Sequence, residues 1–253
     1  MLSVRVVKLG GHELDRPEWL AACADALKAL GPVVLVHGGG EAVSALSQRL
    51  ALPVEQRDGR RVTSPAIAEV VEMVLAGPVN RMLVAALRRA GLDAIGLSGV
   101  DGGLLTAQRA PGGLGHVGDV VAVRVSLLHS LLLAGLTPVI APMAPAAEGG
   151  LPLNVNADDA AAAVAGALHA AELLFVSDVP GVRVDGAVQP AVAAGEIETL
   201  IELGAATDGM AAKLRAAAAA IRAGAHAVRI GDLQLLGDDS AGTRILPPAV
   251  KAA

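Results

Sequence analysis

Short apolar runs rich in valine, leucine and isoleucine recur along this chain, each followed by a longer stretch rich in alanine and leucine. Val4–Val7, Val33–Val36, Ala94–Leu97, Pro138–Ala141, Leu173–Ser177 and Ala227–Ile230 read as strands. Pro17–Leu30, Glu41–Leu50, Ser64–Ala76, Asn80–Ala90, Leu127–Ala134, Asp158–Ala170, Glu196–Leu203 and Met210–Ala223 read as helices. Ser64-Pro65 supports one start, a capping side chain followed by proline at the first helical position. Asp158–Ala170 is apolar nearly all round, the mark of a buried helix. This alternation predicts an α/β fold with a mostly parallel sheet covered on both faces. Residues 104–124 and Val182–Val188 (around the turn Asp185-Gly186) read as hairpins, and GTRIL near the end as a last edge strand. The alanine tracts Ala160–Ala163 and Ala216–Ala220 read as close helix packing.

The 253 residues fit one large domain or two fused lobes, with a boundary expected near Ala170: residues 1–170 and 171–253. Trp19 and Phe175 are the only aromatics, which argues against modules that stack nucleic-acid bases. A net charge of −5 without a long basic run argues against a duplex-binding surface. A single cysteine, Cys23, excludes a disulfide framework and a Cys-based zinc site. The N-terminal apolar run is broken by Arg5 and Lys8, unlike a signal peptide. Leu127–Ala141 contains Gly135 and Pro138 and falls short of a membrane span of about 20 residues. A cytoplasmic protein without membrane or nucleic-acid partners is expected.

Ligands of open α/β sheets bind beyond the carboxyl ends of the strands, and chemically loaded segments fall there. Lys8 ends the first strand before Gly10-Gly11. It is one of four lysines (with Lys28, Lys213 and Lys251) against sixteen arginines, and reads either as a snorkelling strand end or as a compact point charge. His37-Gly38-Gly39-Gly40 is either a tight turn or an anion cradle at a helix start; His37 itself reads as structural. In Asp58-Gly59-Arg60-Arg61-Val62-Thr63 one arginine could fork onto a carboxylate, or the turn is simply solvated. Asn154-Val155-Asn156-Ala157-Asp158-Asp159 holds two of the three asparagines; Asp158 is either a helix N-cap or part of a site. Thr207-Asp208-Gly209-Met210 opens the helix of Lys213. Ser177-Asp178-Val179-Pro180-Gly181-Val182 follows a strand as a turn or a nucleotide loop. No metal-ligand spacing occurs among the histidines, and G-x-S-x-G, Walker and G-x-G-x-x-G motifs are lacking.

In order, VVKLGG, VHGGG, DGRRVT, EMVLAGPVN, GLSGVDG, LGHVGDV, NVNADDAA, SDVPGV, TDGMAAK and GTRI resemble the amino-acid kinase family, and within it the branch that phosphorylates N-acetyl-L-glutamate. The resemblance covers nearly the whole chain. It implies a three-layer αβα sandwich with an N-terminal acyl-substrate lobe and a C-terminal ATP lobe. It also implies transfer of the γ-phosphoryl group of ATP, with Mg2+ carried mainly by the nucleotide phosphates, to the side-chain carboxylate. By the same resemblance Lys8 and Lys213 stabilise the transferring group and Asp158 holds both lysines. Gly10, Gly11, Gly39 and Gly40 line phosphate and substrate. Arg61 grips the α-carboxylate beside Asn154 and Asn156. Ser177–Val182 (with Asp178, Val179, Pro180 and Gly181), Ala205, Ala206, Thr207 and Met210 surround the nucleotide. His12-Glu13 is more polar than the family pattern at that place.

The rival readings are a kinase of carrier-linked aminoadipate, with the same phosphoryl machinery, and a non-catalytic sensor or storage protein on the same fold. Presence of Lys8, Lys213 and Asp158 together counts against the second. Arginine-inhibited members of the family carry an extra helix before the first strand, and here that strand begins near Val4. The expectation is therefore a homodimer that arginine does not inhibit. Its contacts are expected in the N-terminal lobe, with the Ser64–Ala76 and Asn80–Ala90 helices as candidates.

Overall fold

The computed structural model describes residues 3–247 apart from His12, Asp58 and Glu148, and describes Asp208 by its backbone. Lys251 and the polar His12 of the departure noted above lie outside the described residues. In chain order the strands are β1 Arg5–Leu9, β2 Val33–His37, β3 Gln56–Arg57, β4 Arg60–Arg61, β5 Ala94–Ser98, β6 Leu105–Arg109, β7 Val117–Val123, β8 Thr137–Ala141, β9 Met143–Ala144, β10 Leu153–Val155, β11 Glu172–Val176, β12 Arg183–Val184, β13 Ala187–Val188, β14 Ala191–Ala193, β15 Val228–Gly231 and β16 Thr243–Leu246. The α-helices are α1 Pro17–Leu27, α2 Gly40–Arg49, α3 Pro65–Val74, α4 Asn80–Arg89, α5 Val125–Leu133, α6 Ala157–Ala167, α7 Ile197–Glu202 and α8 Asp208–Arg222. All eight foreseen helices form.

An eight-stranded sheet, ordered β14-β16-β15-β11-β1-β2-β8-β5, is parallel except where β15 meets β16. Its central strands are buried on both sides, and alternate residues feed two cores. Val6, Val34, Val36, Leu173 and Phe175 pack with α5, α6 and α8. Val7, Leu9, Val33, Leu35 and Leu174 pack with α1, α3 and α4. The fold is thus a three-layer αβα sandwich, with a four-stranded sheet β6-β7-β10-β9 added on the α6 face. A helical run from Pro65 to Arg89 is long and apolar enough to cross a membrane. Here Ile67, Val71, Leu83 and Leu87 bury it in the core, and Gly77 breaks its geometry.

The structure corrects one sequence reading, adds a strand pair that the sequence did not show and closes one open alternative. The GTRIL strand is not an edge: β16 lies between β15 and β14, and the edge is Ala191–Ala193, which has no strand signal of its own. Arg244 donates to the Pro190 carbonyl and Ala194 to that of Leu246, so β16 draws this segment into the sheet. Second, β9 and β10 pair into the small sheet although each is too short to show periodicity. Third, Asp158 does not cap its helix. Asn156 does, its Oδ1 accepting from the Asp158 and Asp159 amides at 2.8 and 3.4 Å.

The alanine tracts let helices approach closely. Gly166 of α6 faces Ala223 at the end of α8, and a methyl group on Gly166 would overlap that of Ala223. Gly166→Ala is expected to destabilise the fold by roughly 1–3 kcal/mol through overpacking, read as a lowered Tm; an unchanged or raised Tm would show that the helices separate freely.

Candidate active site

β1 lies between β11 and β2, and Leu9 is in register with both Val176 and His37. The chain therefore leaves three neighbouring strands at one level. Gly10 donates to the Val176 carbonyl and Gly38 to that of Leu9, each at 3.0 Å. A Cβ on Gly11 would stand 2.9 Å from the Gly39 nitrogen, so the two glycine loops touch backbone to backbone. Gly39 has φ +151°, a conformation that needs glycine. Gly40 begins α2, so this helix points its N-terminus at the same place.

Lys8 faces the α6 side of the sheet, where Asp158 lies in the first turn of the buried helix. Lys8 Nζ is 2.8 Å from Asp158 Oδ1. Lys213, from α8, donates to Oδ1 and Oδ2 of the same carboxylate at 3.2 and 3.3 Å. All three residues are buried. The only phenylalanine of the chain is opposite Lys8 on β11, and Lys213 Nζ lies 5.3 Å from its ring centroid, a cation–π contact. Burial alone would raise the Asp158 carboxyl, but the two ammonium groups outweigh it and hold it below the usual range. Lys213 is pushed down to about 8, first by burial and then by the Lys8 charge, with Asp158 opposing.

The Lys8–Asp158 pair lines a cavity of about 190 Å3 with Gly38, Gly39, Gly40, Arg61, Asn154 and Asn156. Arg61 is buried, not a solvated turn. Its Nη2 donates to the Gly40 carbonyl at 2.8 Å and to Ser44 Oγ at 2.7 Å. Its Nη1 is buried and has no hydrogen-bond partner among the described residues. Asp58, in the same turn, lies outside those residues. Asn154 donates to Thr63 Oγ1 at 3.2 Å, and that hydroxyl donates to the Arg61 carbonyl at 2.8 Å. Val71, Leu75, Val117 and Pro142 give the cavity an apolar wall. A wider cleft of about 550 Å3 shares Lys8, the glycines, Asn156 and Asp158, and adds Gly11, Gly209 and Ala212. The N-terminal ends of α2, α6 and α8 thus border it, each carrying about half a positive charge.

His37 is structural, as read. Its Nδ1 donates to the Gly38 carbonyl at 2.7 Å, and its Nε2 accepts from Asn80 at 3.1 Å. Burial pushes the imidazole down to about 4, against the Gly38 contact, so it is neutral near pH 7. Asn80 also donates to the Val139 carbonyl at 2.9 Å. Sequence reasoning passed over Asn80, Thr63 and Ser44. Thr63 and Asn80 stood inside the DGRRVT and EMVLAGPVN motifs without a role, and Ser44 lies one helical turn after Gly40, whose carbonyl it also bonds.

The residues expected around the nucleotide are bonded as follows. Ser177 follows β11 beside Gly10, and its amide donates to the Gly231 carbonyl at 2.8 Å. Asp178, Val179 and Pro180 form the bend to Gly181, and the Val182 amide donates to Thr243 Oγ1 at 2.8 Å. Ala205 and Ala206 both donate to the Leu200 carbonyl, and Thr207 accepts from Met210 at the start of α8. The Ser177–Val182 and Ala205–Thr207 loops line neither of the two cavities that Lys8 and Asp158 border.

The model of the amino acid kinase family matches residues 3–232. The chain belongs to the amino acid kinase family. A protein of Chloroflexus aurantiacus named acetylglutamate kinase is 51% identical over 221 residues, covering 86% of this chain and 87% of its own. Its counterpart in Chloroflexus aggregans, with the same name, is 45% identical over 250 residues, 97% and 98% of the two chains. The crystal structure of the Streptococcus mutans protein smu.665 superposes with a TM-score of 0.84 at 30% identity, covering 97% of this chain and 99% of the other.

Proposed function

We propose that this chain transfers the γ-phosphoryl group of ATP to the side-chain carboxylate of N-acetyl-L-glutamate, giving N-acetyl-L-glutamyl 5-phosphate for arginine biosynthesis. The observation that carries the reading is the Lys8–Asp158–Lys213 cluster next to a cavity lined by Arg61, whose Nη1 has no hydrogen-bond partner among the described residues. The apolar wall of Val71, Leu75 and Val117 suits the acetyl methyl group, and the curated relatives carry the matching name. Residues 1–170 would hold the acyl substrate through Gly39, Gly40, Arg61, Asn154 and Asn156. Residues 171–253 would hold most of the nucleotide, with Gly10 and Gly11 reaching it from β1. We further assign a cytoplasmic homodimer.

The acceptor carboxylate is already ionised, so no general base is required. Its oxygen forms a bond to the γ-phosphorus while the bond from that phosphorus to the β,γ-bridging oxygen breaks, and ADP leaves with the electron pair. The obstacle is repulsion between an anion and a polyanion, so catalysis reduces to positioning and charge stabilisation. Lys8, Lys213 and the helix N-termini supply positive charge where negative charge accumulates. Asp158, occupied by both lysines, orients them and touches no reacting atom. Among the described residues no group of three or more His, Cys, Asp or Glu side chains is placed to hold a metal ion. As the resemblance implies, Mg2+ would arrive on the nucleotide phosphates.

ADP release measured side by side with N-acetyl-L-glutamate, glutamate and aminoadipate tests the reading. Turnover only with the acetylated substrate is expected; preference for either of the others would overturn it. The reading also has a pH signature. Lys213 must be cationic, and its value of about 8 in the free protein means the charge is lost as pH rises through that region. kcat/KM is expected to fall above about pH 8, whereas kcat holds to higher pH because bound phosphates favour the cation. A kcat/KM profile flat to pH 10 would remove Lys213 from the phosphoryl site.

A further inference from the structure

Arg60 and Arg61 are consecutive residues of β4 and so face opposite ways. Arg61 enters the acyl cavity. Arg60 also borders that cavity, but its guanidinium is taken up by two carboxylates: its Nη1 lies 2.7 Å from Asp119 Oδ1 on β7, and its Nη2 donates to Asp159 Oδ2 on α6 at 2.7 Å. All three side chains are half-buried, beside the packed alanines of α6 and α8. The β3–β4 pair joins neither larger sheet, and an isolated two-stranded hairpin is marginal by itself. Backbone bonds hold only its exit, where the Thr63 amide donates to the Leu114 carbonyl at 2.9 Å and the His116 amide to that of Thr63 at 2.6 Å; the rest of the hairpin relies on side chains. Asp159 is the chain neighbour of Asp158, so the Arg60 bridge ends one residue from the carboxylate that holds both lysines.

We infer that Arg60 is a positioning residue: by bridging Asp119 and Asp159 it fastens the hairpin that carries Arg61 to the start of the helix that carries Asp158. It thereby fixes the acyl-substrate grip relative to the phosphoryl-transfer cluster. The kinetic side of this inference rests on the function proposed above. A lysine cannot replace Arg60, because one ammonium does not span two carboxylates on different elements as a planar fork does. Burial raises the Asp159 carboxyl above its ordinary value even beside Arg60, so the bridge draws on a carboxylate that needs its cation.

Arg60→Leu and Arg60→Lys, alone and combined with Asp159→Asn, provide the test. A reacting group displaced by about 1 Å costs on the order of 10²-fold. Arg60→Leu should therefore lower kcat/KM for N-acetyl-L-glutamate by about that factor, with KM for ATP within roughly twofold of wild type. Arg60→Lys should recover little of it. Asp159→Asn added to Arg60→Leu should cost almost nothing more, since both remove one link. Residue-resolved hydrogen exchange gives a readout independent of substrate: the Val62 and Thr63 amides should exchange faster in Arg60→Leu, while those of α6 keep their rates. Unchanged exchange at Val62 and Thr63, equal rises in both KM values, or a lowered Tm with wild-type kinetics would each overturn the inference. A wild-type protein that ignores N-acetyl-L-glutamate, with Arg60→Leu still loosening Val62 and Thr63, would overturn the proposed substrate and uphold the tether.

Discussion

Lys8→Ala and Lys213→Ala are each expected to lower kcat by roughly 10²-fold or more, the usual cost of losing one transition-state donor. Lys28→Ala, an exposed residue at the end of α1, is the control and should retain full activity. The two lysines differ in what else they lose. Lys213 sits over Phe175 and shares both Asp158 oxygens, so its removal also opens a gap between α8 and the sheet. Asp158→Ala should be more damaging than either. It leaves two buried ammonium groups facing each other without their counter-ion, and breaking a buried pair in that way costs about 3–5 kcal/mol. Lys213, already pushed down to about 8 by burial and by Lys8, would shed its proton to escape. Asp158→Ala is therefore predicted to lose both activity and Tm, whereas the lysine variants lose mainly activity. The measurements are steady-state kinetics and thermal melts on all four proteins. Equal kcat in Lys8→Ala, Lys213→Ala and Lys28→Ala would remove the lysines from the reaction.

Strong periodicity made most of the sandwich legible before any coordinates. Each parallel strand of the sheet centre is a continuous apolar run, and each long helix is bounded by a proline, a glycine or a capping side chain. The failures were short or context-dependent. Ala191–Ala193 becomes a strand only because Arg244 and Leu246 arrive beside it, and nothing in three small apolar residues announces a partner 53 positions away. The helix cap went to Asn156 although Asp158 is an equally good capping residue. What decides between them is the pull of Lys8 and Lys213 on Asp158, a tertiary effect. The same limit applied to the site. Lys8 and Lys213 stood out because the chain uses lysine so sparingly. Arg60 and Arg61 are chemically identical neighbours, and only β4 sends one into the cavity and the other to Asp119 and Asp159. Asn80 acts through His37 from a helix that reads as plain core.

Arg61→Lys is expected to raise KM for N-acetyl-L-glutamate by roughly 10- to 100-fold, the value of one hydrogen bond between charged groups, while KM for ATP stays within about twofold. Arg61 Nη2 is committed to the Gly40 carbonyl and Ser44 Oγ. That anchor fixes the plane of the guanidinium and leaves Nη1 as a buried donor without a partner among the described residues, on a side chain that lines the cavity. Burial lowers the ease of keeping this cation, and an arriving carboxylate restores it, which is a gain realised only on binding. A lysine has the charge but not the fork: its single ammonium can satisfy the α2 end or reach the substrate, not both. The acyl substrate itself supplies the decisive control. 4-Acetamidobutyrate keeps the acetamide and the reacting carboxylate but lacks the α-carboxylate. The wild-type protein should use it poorly, by about the factor that Arg61→Lys loses with the full substrate. Arg61→Lys should then lose little more with the truncated one, because enzyme and substrate changes delete the same contact. Additive losses would mean that Arg61 faces another part of the substrate, and a loss confined to KM for ATP would move it out of the acyl cavity altogether.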